Sequence, residues 1–156
     1  MIERPVKAIP DGMHSLTPYL ICRDAAASVA FYKTAFGATH VSRVANESGA
    51  ILNAQLKIGD SLLMVMDEFP EYGALSPASL KGSPVTIHLQ VEDVDEVIRR
   101  ATAAGATVKM PVREEFWGDR RGVIEDPFGH NWAIATHVRD VAMHDKEASA
   151  KKAMQT

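Results

Sequence analysis

The sequence predicts an α+β chain made of two tandem βαβββ units. The first observation behind this is a duplication. The stretch LICRDAAASVAFYKTAFGATHV from Leu20 and the stretch LQVEDVDEVIRRATAAGATV from Leu89 share one layout: a short apolar strand, an Asp, a helical segment, Gly-Ala-Thr, and a second strand. The second is that the downstream halves also match, since KIGDSLLMVM and PFGHNWAIAT each run from a turn glycine, Gly59 or Gly129, into an apolar strand. The third is a break between the copies, FPEYGALSPASLKGSP, whose Pro, Gly and Ser content reads as a linker.

Taken in chain order, residues 1–14 form an N-terminal arm and residues 15–68 the first unit. Asp24 is placed to accept from the first free N–H groups of a helix, and Val29, Tyr32 and Phe36 recur at helical spacing behind it. Gly37 falls where a helix end often needs positive φ. The linker covers 69–84 and the second unit 85–140. There Asp93 is the cap, Val94, Val97, Ile98 and Ala101 form the apolar stripe, and Gly105 is the terminator. Asp126-Pro127-Phe128-Gly129 sets Pro at the second position of a tight turn. Residues 141–156, polar and rich in Ala and Lys, read as a tail outside the core.

Composition excludes several function classes. The 156 residues are 46% hydrophobic and 24% charged, enough for a real core. With a net charge of -3 and no basic run, nothing attracts nucleic acid or an anionic membrane surface. The single cysteine, Cys22, fits a reducing compartment, and MIERPVKAIPDGMHS lacks the apolar core of a signal peptide. The expected location is therefore the cytoplasm. There is no glycine-rich phosphate loop, no dinucleotide fingerprint and no G-x-S-x-G elbow. Asp67-Glu68 and Glu114-Glu115 alternate faces on an extended chain and read as strand-end surface charge.

The duplicated unit, with DAAASVAFYKTAFGA and the closing EDPFGHNW, resembles the vicinal oxygen chelate superfamily, which includes glyoxalase I, extradiol dioxygenases, and the bleomycin and fosfomycin resistance proteins. TPYL, FWGDR and DPFGH followed by ATHV place it nearest the PhnB-like and bleomycin-resistance-like branch. The resemblance spans about Ser15 to Asp140. It implies curled, cup-like mixed sheets with helices on the outer face, a ligand in the concave cavity and a homodimer. It also implies four inward-facing ligands for one divalent cation, one from the first and one from the last strand of each unit. Carried onto this sequence, those positions are Thr17, Thr86, Ala133, and Leu63 or, with a one-residue slip, Met64. None is His, Asp, Glu or Cys, so no metal and no cofactor are expected.

His88 lies two residues beyond Thr86 and shares its face. Asn53 and Gln55 stand where related members often have His and Glu. The predicted inner surface therefore comprises Thr17, Tyr19, Asn53, Gln55, Leu63, Thr86, His88 and Ala133, apolar walls with a few placed polar groups. In VREEFWGDRRGVIED, Phe116 and Trp117 neighbour Arg113, Arg120 and Arg121. Such a rim can stack on a planar ligand and hold an anion; a Trp packing its own loop among solvated charges is the other reading. Trp132, out of phase with Ala133, should face the helices. His130 reads as a solvated turn residue and His137 as a partly exposed cap or interface residue. The functional expectation is a bleomycin-resistance-type binding protein for a small organic metabolite or drug. The alternatives are a lyase, isomerase or dioxygenase of the same superfamily, or a structural partner with an empty cup.

Overall fold

A computed structural model describes residues 4–154. It holds two four-stranded mixed sheets and four helices, arranged as two compact units, the first ending at Lys81 and the second beginning at Gly82.

In the first unit, β1 (Tyr19–Cys22) leads to α1 (Ala25–Phe36), then β2 (Thr39–Ala45), β3 (Ile51–Ile58) and β4 (Ser61–Asp67). The sheet order is β1-β4-β3-β2, with β1 parallel to β4 and the other pairs antiparallel. The Asp24 carboxylate caps α1 by accepting from Ala27 N, and Gly37 ends it at φ 68°. Val29, Phe31, Tyr32 and Ala35 on α1 pack with Ala54, Leu56, Leu63 and Val65 of the sheet, all buried. Cys22, with no exposed surface, is a core residue on this side.

Two features here differ from the sequence reading. Asp67 is not surface charge: its Oδ1 accepts from Ala25 N at the start of α1 (2.8 Å) and its Oδ2 from Ile51 N at the start of β3 (2.7 Å). Glu68 likewise is not free surface charge but binds the segment between the repeats, accepting from the Ser79 hydroxyl (2.6 Å) and the Ser76 hydroxyl (3.1 Å). That segment forms a single 3-10 turn and then α2 (Pro77–Leu80). The Ser79 hydroxyl, aided by Ser76 and Arg23 against the opposing effect of burial, holds the Glu68 carboxyl below the usual carboxylate range.

The second unit repeats the plan. β5 (Thr86–Gln90), α3 (Val94–Ala103), β6 (Thr107–Glu114), β7 (Asp119–Glu125) and β8 (Asn131–His137) give the order β5-β8-β7-β6. Asp93 caps α3 through Glu96 N. Where the first unit uses Asp67 to hold the helix start, this one uses Thr136, whose hydroxyl accepts from Val94 N at 2.9 Å. Gly122 lies directly under α3, where a Cβ would stand 2.5 Å from Ile98 Cδ1. Asp126, 3% exposed, organises the DPFGH turn: Oδ1 accepts from Phe128 N and His130 N, and Oδ2 from the indole N–H of buried Trp132 (3.0 Å). The terminal helix α4 (Met143–Ala153) buries none of its residues.

Candidate functional site

Cross-strand partners point to the same side of a sheet, so the register assigns every strand residue to a face. In the second unit, Gly122, Ile134 and Thr136 face α3, and so does Arg120, which forms a two-pronged pair with Asp95 (2.8 and 2.9 Å). Arg120 is thereby a helix-anchoring residue rather than part of the rim. The opposite, helix-free face takes Thr86, His88 and Gln90 from β5, and Asn131, Ala133, Ala135 and His137 from β8. From β7 and β6 it takes Asp119, Arg121, Val123 and, opposite Arg121, Arg113. Trp132 faces away from it, as its phase predicts.

His88 is exposed and its Nε2 lies 2.8 Å from Gln90 Oε1, so these residues orient one another. The β6–β7 turn brings the aromatic pair to the same region. Phe116 and Trp117 meet edge to face at 5.0 Å, and the Arg121 guanidinium lies 5.9 Å over the Trp117 ring, within cation–π range. The Trp117 indole donates to Asp119 Oδ2 (3.1 Å). Asp119 Oδ1 in turn binds His137 Nδ1 (2.9 Å), while His137 Nε2 binds Asp140 (2.7 Å). These two carboxylates, Asp140 first, raise the His137 pKa above its ordinary 6.5. Trp117 is thus held by a carboxylate and packed on Phe116. Behind it, Val138 N and Arg139 N both donate to Gly118 O (2.9 and 3.1 Å), tying the chain after β8 to the turn.

Glu115, the other supposed surface charge, is 7% exposed. Its Oε1 accepts from Arg113 Nε at 2.9 Å, and Arg121 Nη1 stands 4.0 Å from the same oxygen. Burial follows from its place in the tight turn, where Glu115 N donates to Asp119 O (2.7 Å).

In the first unit the helix-free face carries Tyr19, Asn53, Gln55, Met64 and Met66. The Tyr19 hydroxyl donates to Leu52 O (2.9 Å), and Gln55 stands opposite Met64. Leu63 is a correction: it is 3% exposed on the α1 side, and Met64 takes the position predicted for it. The cause is turn length. Ile58 pairs with Ser61 around a two-residue turn, whereas Glu125 pairs with Asn131 around the longer DPFGH loop, so counting from the glycine misses by one. Thr17, half-buried, precedes β1, whose pairing begins with Met64 N donating to Pro18 O.

Neither unit supplies donors that fit a divalent cation: the carried-over positions hold Thr17 and Met64 in the first unit and Thr86 and Ala133 in the second, where the nearby His88 is already hydrogen-bonded to Gln90. Among the described residues no three His, Cys, Asp or Glu side chains are grouped to hold a metal.

Comparison with known proteins agrees with this architecture. Residues 12–134 match the model of the glyoxalase/bleomycin resistance protein/dioxygenase superfamily. The chain belongs to that superfamily. It is 42% identical over 138 residues to an uncharacterized protein of Mycobacterium tuberculosis, covering 86% of this chain and 81% of the relative. An uncharacterized protein of Arabidopsis thaliana is 32% identical over 128 residues, covering 77% and 76%. Among solved structures, TioX from Micromonospora sp. ML1 superposes with a TM-score of 0.63 at 28% identity, over 81% of this chain and 100% of that one.

Of the predicted site residues, the second unit brings His88, Thr86 and Ala133 onto one face with Arg121, and sets Phe116 and Trp117 at its turn. Gln90, Asp119, Glu115 and His137 were missed as partners. Continuing the two-residue alternation from Thr86 through His88 would have reached Gln90; the other three required the register.

Proposed function

We propose that this superfamily member is a binding protein that sequesters a small organic ligand, a metabolite or drug, on its helix-free sheet faces without a metal ion. The observation that carries the reading is that Thr17 and Met64 in the first unit, and Thr86 and Ala133 in the second, supply no strong metal ligand, while the second unit's face adds orienting groups suited to an organic molecule: His88 with Gln90, and Trp117 with Arg121. A homodimer and a cytoplasmic location belong to the same proposal. In its support, no helix among the described residues is long and apolar enough to cross a membrane, and the sequence has one cysteine.

Elemental mass spectrometry on protein purified without chelator tests the metal-free part. A thermal-shift screen with cationic, neutral and anionic aromatic compounds tests the binding part, because a ligand of the folded state raises Tm. The expected result is protein without stoichiometric transition metal and a saturable rise in Tm. A stoichiometric metal that is lost on substituting His88→Ala would overturn the reading.

A further inference from the structure

The second unit's helix-free face carries an unbalanced arginine pair. Arg113 and Arg121 stand directly opposite one another on β6 and β7, and like charges in that relation repel. A single carboxylate, Glu115, lies between them, and its Oε1 is taken by Arg113 at 2.9 Å. Arg121 is left with that oxygen at 4.0 Å, beyond hydrogen-bonding distance, and with the Met110 sulfur at 3.9 Å. Its side chain is only 25% exposed, so its charge is partly withdrawn from water with no hydrogen-bonded carboxylate in return. The other acid nearby, Asp119, has one oxygen engaged by Trp117 and the other by His137.

The row through Arg121 runs from Gln90 on β5 across Ala135 on β8 to Arg113 on β6. Ala135 is too short to separate Gln90 from Arg121. Next to this row stands the Trp117–Phe116 pair, with Arg121 over the indole.

We propose that this row seats an aromatic carboxylate, with the acid group on the forked guanidinium of Arg121 assisted by Arg113, and the ring against Trp117 and Phe116. A carboxylate supplies the two acceptor oxygens a guanidinium fork matches, and it neutralises the surplus charge that Glu115 leaves. This names the ligand class for the face proposed above and rests on that reading.

The test is a titration with 2-naphthoate, its neutral counterpart 2-naphthamide and the cationic 2-naphthylmethylamine, followed by the NMR signals of the two indole N–H groups, Trp117 being assigned with W117F. Naphthoate is expected to move the Trp117 signal saturably and to bind at least about tenfold more tightly than the amide, the value of one hydrogen-bonded charge. Arg121→Gln should erase that difference, and Arg113→Gln, at a more exposed site, should reduce it without endangering the fold. Glu115→Gln should tighten naphthoate binding, because it removes the competing negative charge. A purely structural role for Glu115 would weaken it. If amide or amine binds as well as naphthoate and the arginine variants change nothing, the anion assignment falls while the binding reading stands. If no probe moves Trp117 at millimolar concentration, both fall.

Discussion

Removing the Asp126 carboxylate distinguishes a structural motif from a functional one in the EDPFGH turn. The carboxylate is 3% exposed and accepts from three N–H groups: Phe128 N (2.9 Å), His130 N (3.0 Å) and Trp132 Nε1 (3.0 Å). In Asp126→Ala the indole N–H, on a ring only 2% exposed, loses the Asp126 Oδ2 acceptor inside the core, a cost of about 2 kcal/mol. The two peptide N–H groups are half-buried and recover part of their loss from water, so each adds about 1 kcal/mol. The total is about 4 kcal/mol, which for a chain of this length lowers Tm by roughly 8–16 °C. Asp126→Asn keeps one oxygen and can satisfy either the peptide pair or the indole, so about half that loss is expected. Differential scanning calorimetry, with near-ultraviolet circular dichroism reporting the packing of Trp132, measures both. An Asp126→Ala protein within about 1 kcal/mol of the parent would refute this reasoning. So would an asparagine variant less stable than the alanine one.

Two further predictions concern the turn that carries Trp117. Gly118 has φ +105°, and a Cβ there would collide with the Arg139 carbonyl, so Gly118→Ala should cost about 3 kcal/mol or release the chain after β8. Denaturant unfolding gives the first outcome, and a changed Trp117 indole signal gives the second; a silent substitution would contradict the close approach. For His137 the sign is set by two carboxylates that raise its folded-state pKa above 6.5, Asp140 foremost. Its contribution is therefore complete below the unfolded value and disappears as pH rises through the folded one. Unfolding midpoints should fall across that window, and His137→Gln should flatten the fall.

What the sequence determined by itself is the repeat, the two helices of the repeat and their caps, and the superfamily. Those signals are local. Asp24 and Asp93 meet N–H groups three residues on, and Trp132 follows from one step of strand alternation. Which acids are buried, and what they hold, was decided only by tertiary structure. Asp67 reaches Ala25 and Ile51, residues 42 and 16 positions away, and the His137–Asp119 contact spans 18. Leu63 and Met64 exchange faces because one hairpin turn is shorter than its counterpart. A carboxylate looks the same in sequence whether it meets water or an N–H group. Strand register decides which, because one residue of slip turns every side chain to the other face.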